Sequence, residues 1–171
     1  MSIVKKSDKA MGRMVYVASS LYNSPYYKGR RKEHFSDAAD KLADIVDHAR
    51  RLLDLPKILK VRVANMLKSD AVGCYYWSYN TIQLASDLMC QPKNLCTVMV
   101  HELIHAEQHF TGRLTVVEST SEHIWNDGVN VQCIRKWAPS DYTAYRNLPW
   151  EKEAYDRQDA IVDEIFIEHF S

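Results

Sequence analysis

The chain has 171 residues, of which 46% are hydrophobic and 26% charged, proportions that suit a single globular domain with a sizeable core. Lys+Arg and Asp+Glu both number 22, so bulk charge gives no reason to expect nucleic acid or another polyanion as partner. No apolar run is long enough to span a membrane and no signal-peptide pattern opens the chain, so the cytoplasm is the expected compartment and the four cysteines are expected as free thiols.

No linker or repeat divides the sequence, and residues 1–171 are read as one domain, with 1–32 as a partly flexible basic N-terminal segment. That segment ends in "YYKGRRKEH", where four basic residues lie between Lys28 and Lys32 beside two tyrosines. Such clusters can grip nucleic acid, but the zero net charge favours a solvated loop. From Phe35 to Leu53 apolar residues recur at helical spacing, with Ser36 as the expected N-cap and Pro56 closing the pattern.

"LKVRVANM" (Leu59–Met66) alternates apolar and polar residues as a strand does. "GCYYWSYNTIQLAS" (Gly73–Ser86) reads as two strands or one bent one, turning near Tyr79–Asn80. Pro92 then starts a helix predicted to run to about Phe110, with Gly112 in the left-handed position beyond its end. Asp127-Gly128 marks a hairpin, "APSDYTAYRNL" a loop, and Pro149 the start of a last helix with Trp150, Ala154, Ile161 and Ile165 along one stripe. This order predicts an α+β domain with helices packed on a small, mainly antiparallel sheet.

The helix from Pro92 carries "HELIH". Residues four apart on a helix share one face, about 6 Å apart, so His101 and His105 can present both imidazoles to one metal ion. Glu102 lies about 100° round the helix, beside the metal, where it can take a proton from a water activated there. The H-E-x-x-H spacing therefore encodes two zinc ligands and a general base. His109 cannot join them, because eight residues rise about 12 Å along one helix. Gln108 and Thr111 stand where a metzincin would have Gly and His.

A catalytic zinc needs a third protein ligand and an open position. Glu118, Glu122, His123, Glu151 and Glu153 follow the motif, and the first turn of the last helix is the most rigid place to hold one. Glu151 and Glu153 are two residues apart, about 200° round a helix, so only one can face the metal, and spacing alone leaves the choice open.

"HELIHAEQ" followed by "LPWEKEAY" resembles the small gluzincin metallopeptidases, including the single-domain minigluzincins. The resemblance covers these two motifs and, beyond them, only the order of elements. It implies a zincin-like fold and one zinc ion per chain that activates water for hydrolysis of peptide bonds. By the family pattern His101 and His105 are ligands and Glu102 is the base. Glu153, immediately before Ala154, becomes the third ligand. The family usually places Asn or Asp after Glu-Ala, whereas Tyr155 stands here, leaving Asp156 as the expected partner of the metal histidines. Zincins bind substrate on an edge strand, here "YYWSYNTIQL", and use a Tyr or His to stabilise the oxyanion. Tyr145, Tyr155 and His123 are available, and Tyr145 is preferred because it leads into the ligand helix.

The alternatives are a catalytically silent zinc-binding scaffold, against which the retained Glu102 argues, and a nucleic-acid-associated factor using Lys28–Lys32. A further expectation is latency, with the apolar ending "EIFIEHFS" plugging the cleft.

Overall fold

A computed structural model describes residues 15–17, 32–64, 71–117, 119–120, 122–134 and 141–170; for 15–17, 32–39, 90 and 170 it describes the backbone alone. Most of the basic cluster, residues 28–31, and Glu118 lie outside the described residues, as does the end of the strand expected to reach Met66.

Strand β1 (Val15–Val17) is followed by helix α1 (Lys32–Leu52), strands β2 (Lys60–Ala64), β3 (Gly73–Tyr76) and β4 (Thr81–Ala85), and helix α2 (Pro92–Phe110). Strands β5 (Leu114–Val117), β6 (Glu122–Asn126) and β7 (Val131–Ile134) come next, then helices α3 (Tyr142–Arg146) and α4 (Pro149–Phe170). Four strands form one sheet in the order β1-β2-β4-β3, and three form a second, β5-β6-β7.

The α+β class holds, but the larger sheet is mixed rather than mainly antiparallel. β1 runs parallel to β2, and β2 parallel to β4; only β3 is antiparallel, to β4. The 21-residue α1 gives the connection between β1 and β2 the length that a parallel crossover needs. Part of the N-terminal segment is thus built into the sheet, since Val15–Val17 pairs with residues 61–63. α1 also starts earlier than the sequence pattern predicts, at Lys32, so Ser36 lies within it instead of capping it. Residues 142–146, read as loop, form the short α3, capped by Asp141, whose side chain accepts from the Ala144 N–H.

The turn between β3 and β4 falls where expected, with Asn80 at φ 47°, a left-handed conformation that Asn tolerates better than most residues. β6 and β7 pair across the predicted hairpin, in which Gly128 takes φ 89° and Asp127 accepts from the Val129 and Asn130 N–H groups.

Val61 and Val63 on β2 and Ile82 and Leu84 on β4 point into one core, while Lys60 and Arg62 face solvent, so one face of the sheet is covered. Helices α1, α2 and α4 supply the cover through Ile45, Ala49, Met99, Leu103, Ala154 and Ile165, among others. A smaller core of Leu114, Trp125, Leu148 and Trp150 fixes the second sheet to the start of α4. No helix among the described residues is long and apolar enough to cross a membrane.

Among the described residues, the C-terminal segment does not fold back into a cleft. α4 continues through it, and His169 Nε2 lies 3.2 Å from His48 Nδ1 on α1. Leu103 is fully buried where α2 meets the sheet and α4, so Leu103→Ala is expected to cost about 3 kcal/mol of stability. Urea unfolding followed by tryptophan fluorescence measures this; a loss below about 1 kcal/mol would contradict this packing.

Candidate metal centre

α2 is buried on nearly every side because it lies between the sheet and α4, and His101, Glu102 and Gln108 are buried with its apolar residues. Charged and polar groups held so far from water need partners, and each has one. His101 and His105 turn their rings toward the first turns of α4, with centroids 4.7 Å apart and planes at 90°.

The glutamate that meets them is Glu151, only 3% exposed, and not Glu153. Glu151 Oε2 is 3.1 Å from His101 Nε2 and Oε1 is 3.4 Å from His105 Nε2. Glu153, two residues on, points to the opposite side of α4 as the helical angle requires. There it accepts from Arg113 Nη1 at 2.5 Å and Arg157 Nη1 at 2.6 Å. Glu107 accepts from the same two arginines, closing a four-membered charge network. Asp156 also lies away from the histidines, paired with Lys152 on the surface.

Two glutamines take the place expected of Asp156. Gln158 Oε1 is 3.0 Å from His101 Nδ1, and Gln108 Oε1 is 2.9 Å from His105 Nδ1. The orientation of the Gln108 amide is set by its nitrogen, which donates to the Trp150 carbonyl at 2.9 Å and to Glu153 Oε2 at 3.4 Å. His105 Nδ1 must therefore be the donor to Oε1, and the same holds for His101 Nδ1 against Gln158 Oε1. In each neutral ring the lone pair is left on Nε2.

Those two Nε2 atoms are 3.1 Å apart and both face the Glu151 carboxylate. Two lone pairs and an anion at this range repel unless a cation lies among them, either a proton or a metal ion. Three donors about 2 Å from a tetrahedral zinc stand about 3.3 Å from one another. The two Nε2 atoms are 3.1 Å apart, and one Glu151 oxygen lies 3.1 Å from the first while the other lies 3.4 Å from the second, so all three groups can turn toward one ion. The donor set of two imidazoles and one carboxylate is also one that zinc takes in catalytic sites.

The protonation states agree. Burial favours neutral His105, but the hydrogen bond to Glu151 and the charges of Glu102 and Glu151 outweigh it and raise its pKa to about 9. Burial would lift the Glu151 carboxyl, yet hydrogen bonds from His101, His105 and Tyr145 hold it down at about 2. Glu102 is raised, first by burial and further by Glu151, which makes its carboxylate a stronger base than a solvated one.

Glu102 sits under the edge strand, where its carboxylate accepts from the Tyr75 N–H. A Cβ on Gly73 would lie 2.5 Å from Val98 Cγ1 and 3.0 Å from Glu102 Oε1, so only glycine lets β3 approach α2 this closely. An open cleft of about 250 Å³ lies beyond, walled by Trp77, Val116, His123, Tyr145 and Trp150 and floored by Glu102, His105 and Glu151. Tyr145 hydrogen-bonds Glu151, and burial together with that carboxylate pushes its phenol strongly upward, keeping it a donor. His123 stacks on Trp150 with centroids 5.2 Å apart.

Of the residues singled out from sequence, His101, His105, Glu102 and Tyr145 are brought together, and Glu153 is not. Gln108 and Gln158 were missed, although Gln108 lies three residues beyond His105, a spacing that brings side chains together on a helix.

Two outcomes follow. Gly73→Ala is expected to lose about 1–3 kcal/mol through the clash with Val98, and Val98→Ala in the same chain to restore most of it. Additive losses in thermal unfolding would contradict the close approach. Because His105 keeps its proton up to about pH 9, a metal entering at pH 7 must displace it. Zinc binding at pH 7 is then expected to remove the proton from His105, measured as a shift of its imidazole nitrogens by 15N NMR, and an imidazole left unshifted at one zinc per chain would contradict this.

Comparison with protein-family models, curated proteins and solved structures finds no match to this chain.

Proposed function

We propose that this protein is a zinc-dependent metallopeptidase of gluzincin type, with His101, His105 and Glu151 as the metal ligands and Glu102 as the general base. The observation that carries the reading is the convergence of two imidazole lone pairs and one buried carboxylate, with ligand atoms within 4.8 Å of one another, beside an open cleft. One zinc per chain held there supplies Lewis acidity, polarising a carbonyl oxygen and lowering the pKa of water.

The chain's own groups do the rest. Among the described residues β3 is the end strand of its sheet, so an extended peptide can pair along it as an added strand. Glu102, held by the Tyr75 N–H directly under that edge, takes the proton of the attacking water on its carboxylate and returns it to the leaving amine. The Tyr145 hydroxyl and the His123 ring border the same cleft and are the donors available to a developing oxyanion. An antiparallel edge strand over the motif helix, with a glutamate-bearing helix packed on its other side, also supports a zincin-like fold. A structural zinc would have its fourth position closed by protein and no use for Glu102, so the open cleft favours an enzyme over a silent scaffold.

The first test is metal content by elemental analysis. Wild type should carry about one zinc per chain, lost in His101→Ala and Glu151→Gln but retained in Glu153→Gln, which should instead be less heat-stable. Zinc lost in Glu153→Gln but kept in Glu151→Gln would reverse the ligand assignment. Wild type that takes up no zinc on titration would end the metallopeptidase reading. Glu102→Gln should keep its zinc and lose peptide hydrolysis by about a thousandfold or more.

A further inference from the structure

A second cleft, larger than the first at about 400 Å³, opens on the outer side of α3 and the first turns of α4. Its walls include Tyr142, Arg146, Asn147, Lys152, Tyr155 and Asp156. Lys152 and Asp156 neutralise each other across 2.5 Å, so the net charge of the cleft comes from Arg146. The Arg146 guanidinium lies over the Tyr155 ring, 4.0 Å from its centroid, and among the described residues no carboxylate pairs with it. A guanidinium resting on an aromatic face is held in place while the N–H donors around its edge stay open, an arrangement suited to a bidentate carboxylate.

This cleft is one side chain away from the metal centre. The Tyr155 ring that supports Arg146 also packs on His101, with centroids 4.7 Å apart. Tyr155 is hydrogen-bonded to Tyr142, which stacks on Tyr145, the residue that bonds Glu151. With 4.0 Å from the guanidinium to the Tyr155 ring and 4.7 Å from that ring to His101, Arg146 lies within about 9 Å of the metal centre, roughly the length of two or three residues of extended peptide at about 3.3 Å each.

We infer that the cleft at Arg146 and Tyr155 is a carboxylate-binding subsite, which gives the enzyme a preference for peptides carrying an acidic side chain or a free C-terminal carboxylate near the scissile bond. The inference rests on the metallopeptidase reading for its link to substrate, but the binding of the carboxylate itself does not.

Three matched peptides test it: one with a glutamate and an amidated end, the same with glutamine for glutamate, and the glutamine form with a free C-terminal carboxylate. Binding is measured by calorimetry on zinc-loaded Glu102→Gln protein, and turnover on wild type. One of the two carboxylate peptides should bind on the order of tenfold more tightly than the neutral one, and which of them does so identifies the source of the carboxylate. Arg146→Ala should bring that ratio to about one, Arg146→Lys should keep part of it, and raising the salt should shrink it. Equal binding of all three, or a preference that survives Arg146→Ala, would overturn the subsite while leaving hydrolysis intact. Charge-dependent binding through Arg146 without turnover of any peptide by wild type would keep the subsite and reject the peptidase.

Discussion

Gln108 holds the centre together. Its amide nitrogen ties α2 to the Trp150 carbonyl at the start of α4, while its oxygen fixes the hydrogen on His105 Nδ1. One fully buried side chain thus sets both the distance between the two helices and the direction of a lone pair. An aliphatic residue of the same size would leave the His105 N–H without its partner inside a dry interface, a cost of about 1–3 kcal/mol, and would remove the tie to Trp150. Gln158 does the corresponding work for His101 from the other helix.

The charge network around Glu153 belongs to the same arrangement. Arg113, just after α2, and Arg157, on α4, share the carboxylates of Glu107 and Glu153. Single pairs at this level of exposure are worth little, but a network spanning two helices restrains their relative rotation. Glu151 on the inner face of α4 and Glu153 on its flank therefore act on the same geometry by different means, one by meeting the histidines and one by keeping the helix in place. The small second sheet adds a third restraint, since Leu114 and Trp125 pack with Leu148 and Trp150 on either side of Pro149.

Much of the framework was legible in the sequence. Hydrophobic periodicity located α1 and α4, Pro92 and Gly112 bracketed α2, the Asn80 and Asp127-Gly128 turns located two hairpins, and the H-E-x-x-H spacing marked the histidine face. β1 was missed because three residues are too short for an alternation to register. The parallel pairings were missed because strand direction depends on how the crossovers pack, and a crossover leaves no mark in the strands themselves.

By itself the sequence determined that two histidines and a glutamate share one stretch of helix, since the 3.6-residue turn is a local property of the backbone. It also determined that a second helix with two glutamates in its first turn follows. Tertiary structure alone decided which of these meets the histidines. Helical geometry requires Glu151 and Glu153 to face different ways, but only the packing of α4 on α2, held by Gln108 and the paired arginines, turns Glu151 inward. The resemblance to other glutamate-alanine helices pointed to Glu153, and the rotation of one helix against another, which no local spacing encodes, is what separates the two.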